Sequence, residues 1–397
     1  MDATLEELFE AGLLVRPSDE RPNIVHLARA LARLAGVDEV PNSPGVQKLM
    51  DLIGPAEHLV FVLLDGLGMN LISRLPAGSF LTSHLKLRIN SICPSTTACA
   101  LTAIITADYA NRHGVAGWYT YLPDFDVTAV MLPFTERFSG ESLTKRGINP
   151  ADVLPLPPVF PRMARAVRTV SPAFIANTVY NLYARGGAEA AGYQTIPQGI
   201  DAVIAHATTT AGPTYTYLYL PEIDTMCHHI SVNHHDIVPM VMKIDAELSR
   251  LATALEGRAR IVVSADHGLI DVAPLDQTLL LADDPMLKLL RVPPTGDARM
   301  PIFHVRDGCR LQFVEMFKSR FAERMVLLDI EQCQKLQLFG PGAITSPARE
   351  RFGDYVAIPT RPTTLAYHSP DKPLGQLFLS VHAGLSPEEM HVPLCVA

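Results

Sequence analysis

Short apolar runs alternate with stretches of helical periodicity through most of this chain. His58 opens a run, residues 58–64, that is otherwise apolar, as suits a strand buried on both faces. Similar runs recur at 173–175, 215–220, 260–264 and 376–381. Between them, 98–106, 199–208 and 238–255 read as helices. Strands alternating with helices predict an α/β fold with a largely parallel central sheet and helices on both faces. Residues 1–50 read as a helical segment, because Ile24, Leu27, Leu31 and Leu34 recur at helical spacing.

The alternation breaks over 283–355. Asp283-Asp284-Pro285 and Val292-Pro293-Pro294-Thr295-Gly296 mark loops. After them, 302–305, 309–322 and 325–328 read as strand, helix and strand, and Gly340-Pro341-Gly342 and Gly353 close the segment. The expected organisation is a helical segment over 1–50, a discontinuous core of 51–282 and 356–397, and a small α+β insertion over 283–355.

The ends of the apolar runs carry the chemistry. Asp65 follows the first, Asp224 and His228 the run at 215–220, Asp266-His267 the run at 260–264, and His382 the last. In open α/β sheets the carboxyl edge of the strands is where ligands bind. Asp224 and His228 are four apart, so on a helical turn they share a face and can clamp one ion. Carboxylate oxygen and imidazole nitrogen both suit zinc. Pro94-Ser95-Thr96-Thr97 opens the helical run at 98–106, where free N–H groups and the helix dipole favour a phosphoryl group. Each residue also has a plainer use. Asp65-Gly66 fits a turn, the hydroxyls fit ordinary helix caps, and His229, His234 and His235 crowd the choice of histidine.

Charge and composition narrow the partners. With a net charge of −8 and no basic block, a nucleic-acid surface is excluded, since phosphate backbones need clustered Lys and Arg. The start, Met1-Asp2-Ala3-Thr4-Leu5-Glu6-Glu7, lacks a signal-peptide pattern, and the apolar runs are too short to cross a bilayer. Six cysteines without CxxC spacing predict free thiols in a reducing cytoplasm.

The order Asp65, Thr97, Asp224-x-x-x-His228, Asp266-His267, His382 resembles the alkaline phosphatase superfamily, within it the bacterial nucleotide pyrophosphatase/phosphodiesterase-like branch. The resemblance covers residues 59–270 and 375–397 and leaves the first fifty uncovered. It implies one divalent ion on Asp224, His228 and His382, and another on Asp65, Asp266, His267 and the Thr97 hydroxyl. Thr97 is chosen over Thr96 by register, because Thr106 then falls where the family has Thr-Gly; Ala107 stands in place of that glycine. His113-Gly114-Val115 matches the motif that follows. Two further departures stand out: Trp118 lies near the place of a family asparagine that holds a phosphate oxygen, and Ala383-Gly384 replaces two glycines. The indole offers a face for an aryl or base group, so Trp118 is a candidate substrate contact.

The implied activity is two-metal hydrolysis of phosphate esters, by a phosphodiesterase or nucleotide pyrophosphatase acting through a phosphothreonine intermediate. The implied ions are zinc, with manganese or iron as alternatives. The implied partner is a small phosphate ester, a nucleotide among the candidates, and neither a nucleic-acid polymer nor a membrane. A phosphomonoesterase would use the same residues. A metal-binding partner protein with an idle site would not need the intact set. A sulfatase would need Cys-x-Pro-x-Arg, and Cys93-Pro94-Ser95-Thr96-Thr97 lacks the spacing and the arginine.

Overall fold

The computed structural model describes residues 4–371 and 377–397. Its central sheet has seven strands: β1 (His58–Leu64), β2 (Leu85–Asn90), β3 (Ala166–Pro172), β4 (Glu189–Tyr193), β5 (Thr214–Leu220), β6 (Ala259–Ser264) and β7 (His391–Val396). They lie in the order β2-β7-β6-β1-β5-β3-β4. Every residue of β1 is buried, which is why its sequence reads as one apolar run. Its pairings with β5 and β6 are parallel, as are those of β3 with β5 and β4. β7 runs against both of its neighbours. The expected α/β fold with a largely parallel sheet is the observed one.

Two expected strands move. The second falls at Ala166–Pro172 and not at 173–175, which lie in the turn beyond it. Only Val170 and Pro172 of strand β3 are buried, so its sequence carries no continuous apolar run. The last expected strand, 376–381, shrinks to Ser380–Val381, paired antiparallel with Ile270–Asp271 outside the central sheet. Gly375 and Gln376 lie outside the described residues. The Leu379 backbone is already engaged, donating to the His228 carbonyl at 2.9 Å and accepting from Val272 N–H at 3.0 Å. The place in the sheet goes to His391–Val396.

The helices that matter for the site are α1 (Thr97–Thr106) and α2 (Glu222–Ile230). All ten residues of α1 are buried. The helix Ile24–Leu34, capped by Asn23, joins the main core and braces the end of α1. Arg29 Nε donates to the Ala107 carbonyl at 2.8 Å, and its Nη2 pairs with Asp108 at 3.1 Å.

A second seven-stranded sheet joins Met325–Asp329, Tyr355–Pro359, Met300–Phe303, Thr295–Asp297, Tyr119–Leu122, Val127–Val130 and Thr135–Glu136, in that order. Residues 283–355 therefore do not build it alone: 119–136 supplies one side, joined by antiparallel pairing of Gly296 with Tyr119. Helix Arg310–Phe321 packs Phe313 and Phe317 against Phe303, with Phe321 against Phe317. No helix among the described residues is long and apolar enough to cross a membrane.

Candidate metal centre and nucleophile

The register of β1 sets the site. Leu64 lies beside Leu220 and Leu63 beside Ser264, so Asp65, Pro221 and Ala265-Asp266 leave the sheet at one edge. Asp65 N–H donates to the Leu220 carbonyl at 2.9 Å, and the Asp65 carbonyl accepts from Asp224 N–H at 3.2 Å. Gly66, at φ +76, turns the chain away; a methyl group there would come within 3.0 Å of the Asp224 backbone.

Asp65, Asp266 and His267 form one group whose ligand atoms lie within 4.8 Å of one another. His267 Nε2 is 3.4 Å from Asp65 Oδ1 and 3.5 Å from Asp266 Oδ2. Its Nδ1 faces the Gly268 carbonyl at 3.1 Å, which assigns the proton to Nδ1 and turns the Nε2 lone pair towards the carboxylates. Asp65 accepts from the Tyr219 hydroxyl, and Asp266 Oδ1 from Gly66 N–H at 3.2 Å.

Asp224, His267 and His382 form a second such group. His228 Nε2 lies 3.2 Å from Asp224 Oδ2, as one face of α2 requires, and His382 Nε2 lies 3.8 Å from Asp224 Oδ1. His228 Nδ1 donates to the Ser380 carbonyl at 2.6 Å. The His382 and His267 rings stack with centroids 3.8 Å apart. His382 stands on a loop. Ser95 Oγ donates to the Gly384 carbonyl at 2.7 Å, and Glu389 Oε1 accepts from Gly384 N–H at 2.8 Å. Glu389 is in turn paired with the fully buried Arg299 from the second sheet.

Three buried carboxylates this close repel one another. Burial and the fields of Asp266 and Asp224 push the Asp65 carboxyl well up, and burial with the field of Asp224 raises Asp266. Burial also opposes charge on Asp224, but the His228 hydrogen bond and the fields of His228, His382 and His267 outweigh it and hold that carboxyl low. Asp65 Oδ1, Asp224 Oδ1 and Asp266 Oδ2 are buried without a hydrogen-bond donor. Buried carboxylate oxygens without donors, faced by imidazole nitrogens, are the donor set that divalent cations satisfy. The residues present fit metal ions.

Thr97 is the first residue of α1, and its Oγ1 lies 3.0 Å from His267 Nε2. It faces a cavity of about 480 Å³ that Asp65, Asp224 and Trp118 also line, whereas Thr96 is fully buried. Of the other histidines, His229 is exposed on α2, and His234 and His235 lie beside Asp236 at the surface. Burial holds His113 neutral, its pKa lowered to about 3, and its Nδ1 accepts from Val115 N–H at 3.1 Å.

Sequence reasoning missed Asp297 and the tyrosines of β5. Asp297 arrives from the second sheet, accepts from Trp118 N–H at 3.0 Å, and has its carboxyl raised to about 6 by burial. Nothing near it in sequence resembles a site. Tyr217 and Tyr219 both face the cavity, and their spacing of two in a strand was the available clue.

The chain matches the type I phosphodiesterase/nucleotide pyrophosphatase family over residues 59–372. It belongs to that family. A phosphodiesterase-family chain of this kind is a phosphoester hydrolase, in line with the ligand groups and hydroxyl just described. No curated protein matches its sequence. Among solved structures, murine ectonucleotide pyrophosphatase/phosphodiesterase 5 superposes with a TM-score of 0.64 at 13% identity, covering 85% of this chain and 87% of that one. Phosphonoacetate hydrolase from Sinorhizobium meliloti 1021, in complex with phosphonoformate, superposes with 0.59 at 18% identity, covering 86% and 90%. At such identities these likenesses concern the fold.

Proposed function

We propose that this phosphodiesterase-family chain is a two-metal phosphodiesterase or nucleotide pyrophosphatase that attacks phosphorus with Thr97. The observation that carries the reading is the place of the Thr97 hydroxyl, at a helix N-terminus on the cavity wall and 3.0 Å from an imidazole shared by both ligand groups. Asp224, His228 and His382 would hold one ion, and Asp65, Asp266, His267 and Thr97 the other. Two divalent cations there, zinc by donor type with manganese or iron as alternatives, would favour the Thr97 alkoxide and neutralise charge on the phosphoryl and leaving oxygens.

The chain's own groups do the rest. The free N–H groups of the first turn of α1 would donate to a non-bridging phosphate oxygen. Thr97 Oγ bonds to phosphorus as the ester P–O bond breaks, and the departing alkoxide takes up a proton. Water then adds to the phosphothreonine, releases a phosphate monoester and restores the hydroxyl. Tyr219 and the Gly66 N–H hold Asp65 and Asp266 in place, while the Gly268 and Ser380 carbonyls fix His267 and His228. Trp118, half-buried on the cavity wall, would contact the ester group.

Two fold neighbours hold small phosphorus ligands of the size this site admits: AMP in murine ectonucleotide pyrophosphatase/phosphodiesterase 5 and phosphonoformate in the hydrolase. The six free thiols suit a reducing cytoplasm. The test is acid-quenched mass spectrometry with a slow aryl phosphodiester. A phosphoryl adduct on Thr97, absent in Thr97→Ala and present in Thr96→Ala, is expected. Normal turnover by Thr97→Ala would overturn the reading, and a kcat/KM higher for the aryl monoester would make the enzyme a phosphomonoesterase.

A further inference from the structure

The cavity above Thr97 is far more apolar than phosphoryl transfer requires. Thr97, Leu101 and Ile105 line it from α1. They are four apart and share one helix face. Eight residues of helix span about 12 Å, so an apolar wall runs that far from the nucleophile. Phe160, Val170, Phe174 and Ile175 extend it. Phe174 is 81% exposed, an aromatic ring left in solvent on the cavity wall. Among the described lining residues there is no Lys, Arg or His. A second phosphate, as in a dinucleotide or nucleoside pyrophosphate, would find no cation in this cavity beyond the metal groups.

We propose that the cavity holds an extended hydrocarbon group of the substrate. The preferred substrate is then a phosphodiester with an alkyl chain on one oxygen. The proposal deepens the Thr97 reading and rests on it. The cavity is continuous with the reacting centre, since Asp65, Thr97 and Asp224 line it together with the apolar wall. A chain laid along α1 from Thr97 towards Ile105 leaves water, and each buried methylene tightens binding by about threefold to fourfold.

The experiment compares p-nitrophenyl methyl, butyl, octyl and dodecyl phosphates on the zinc-reconstituted protein. We expect kcat/KM to climb from methyl to octyl by at least ~100-fold in total, mainly through KM, and to level off once the chain outgrows the wall. A second readout needs no turnover. Trp118 is the chain's one tryptophan, so octyl methylphosphonate should alter its fluorescence and bind at least ~10-fold tighter than ethyl methylphosphonate, in Thr97→Ala as well. Ile105→Asn should cut the octyl-to-methyl ratio at least ~10-fold, and Phe174→Ser, at an exposed position that the fold does not depend on, about threefold. A flat series with an active methyl ester overturns the cavity proposal and leaves Thr97 standing. No hydrolysis of any ester overturns the Thr97 reading, while the fluorescence titration still decides the cavity. A p-nitrophenyl phenyl phosphate or a dinucleotide that outruns the octyl ester would also overturn it.

Discussion

The two halves of the site are built differently. Asp65, Asp266 and His267 leave the ends of β1 and β6, adjacent strands in the middle of the sheet. Their positions follow from ladder register. Asp224 and His228 sit on a helix, and His382 on a loop whose strand is two residues long. That second half is held from outside the sheet, by Ser380 on His228 and by Glu389 and Ser95 on Gly384. A ligand on a strand end inherits the rigidity of the core, whereas one on a loop needs its own props.

The largest break should come from the strand-borne half. Asp266→Ala removes a ligand of one group and leaves the shared His267 without its neighbour, so turnover of an aryl diester should fall at least ~10³-fold. Elemental analysis should show metal lost from this half first. His382→Ala should lower metal content towards one ion and leave the Asp65 group loaded. If His382→Ala empties both groups, the halves are not separable as drawn.

The props come next. Glu389 and Arg299 form an ion pair with side chains 0% and 1% exposed. Removing one partner strands a buried charge, at a cost of about 3–5 kcal/mol, whereas an apolar double replacement can be near neutral. Glu389→Gln should therefore lower the denaturation midpoint and weaken the His382-side ion about 10–100-fold. The strand-borne ion should be little affected. Equal loss at both ions would show that Glu389 supports the fold and not that loop.

Those props also show what the sequence could convey. Asp65, Asp266 and His267 were readable because an apolar run followed by a carboxylate is a local pattern. His382 was found by the same logic, yet among the described residues the strand supposed to carry it is only Ser380–Val381, and the pairing that does hold its loop joins residues 299 and 389. Likewise, the half of the second sheet at 119–136 went unread, because its strands are only two to four residues long, with no long apolar run, and its link to the rest of the sheet is the distant pairing of Tyr119 with Gly296. The apolar wall of the cavity was hidden inside helix α1, where Leu101 and Ile105 read as ordinary core.

Acid should separate failure of the scaffold from failure of the site. Burial lowers His26 and His304 to pKa values of about 4 and His113 to about 3, away from both metal groups. These folded values lie below the unfolded one of roughly 6.5. The unfolded chain therefore binds more protons as pH falls, and the stability present above pH ~6.5 is lost below it, by up to about 1.4 kcal/mol per histidine per pH unit. Urea midpoints should drop between pH 6.5 and 4.5, and His113→Asn should shallow that slope. A midpoint flat over this range would mean that these rings are protonated in the fold.

The smallest effect concerns two alanines that stand where the resembled family has glycine. Ala107 closes α1 at φ +52 and ψ +36, and Ala383 follows His382 at φ +97. A non-glycine residue in the left-handed helical well costs about 1–2 kcal/mol. Replacement by glycine would relieve that cost but lose a buried methyl worth about 0.8 kcal/mol and add unfolded-state entropy worth about 0.4–1 kcal/mol. At Ala107, close to the centre of the well, these contributions nearly cancel, so Ala107→Gly should move stability by less than about 0.5 kcal/mol. Ala383 lies well off the centre, where a Cβ is more costly, so Ala383→Gly should gain about 1 kcal/mol. Because the loop is where ligand placement depends on props, that gain should come with weaker binding of the His382-side ion and no change at the other. Chemical denaturation of the metal-free protein and zinc titration of each variant measure the two quantities separately. If Ala107→Gly gains more than Ala383→Gly, the strain sits in the helix-borne scaffold, and the contrast between the two halves loses its energetic basis.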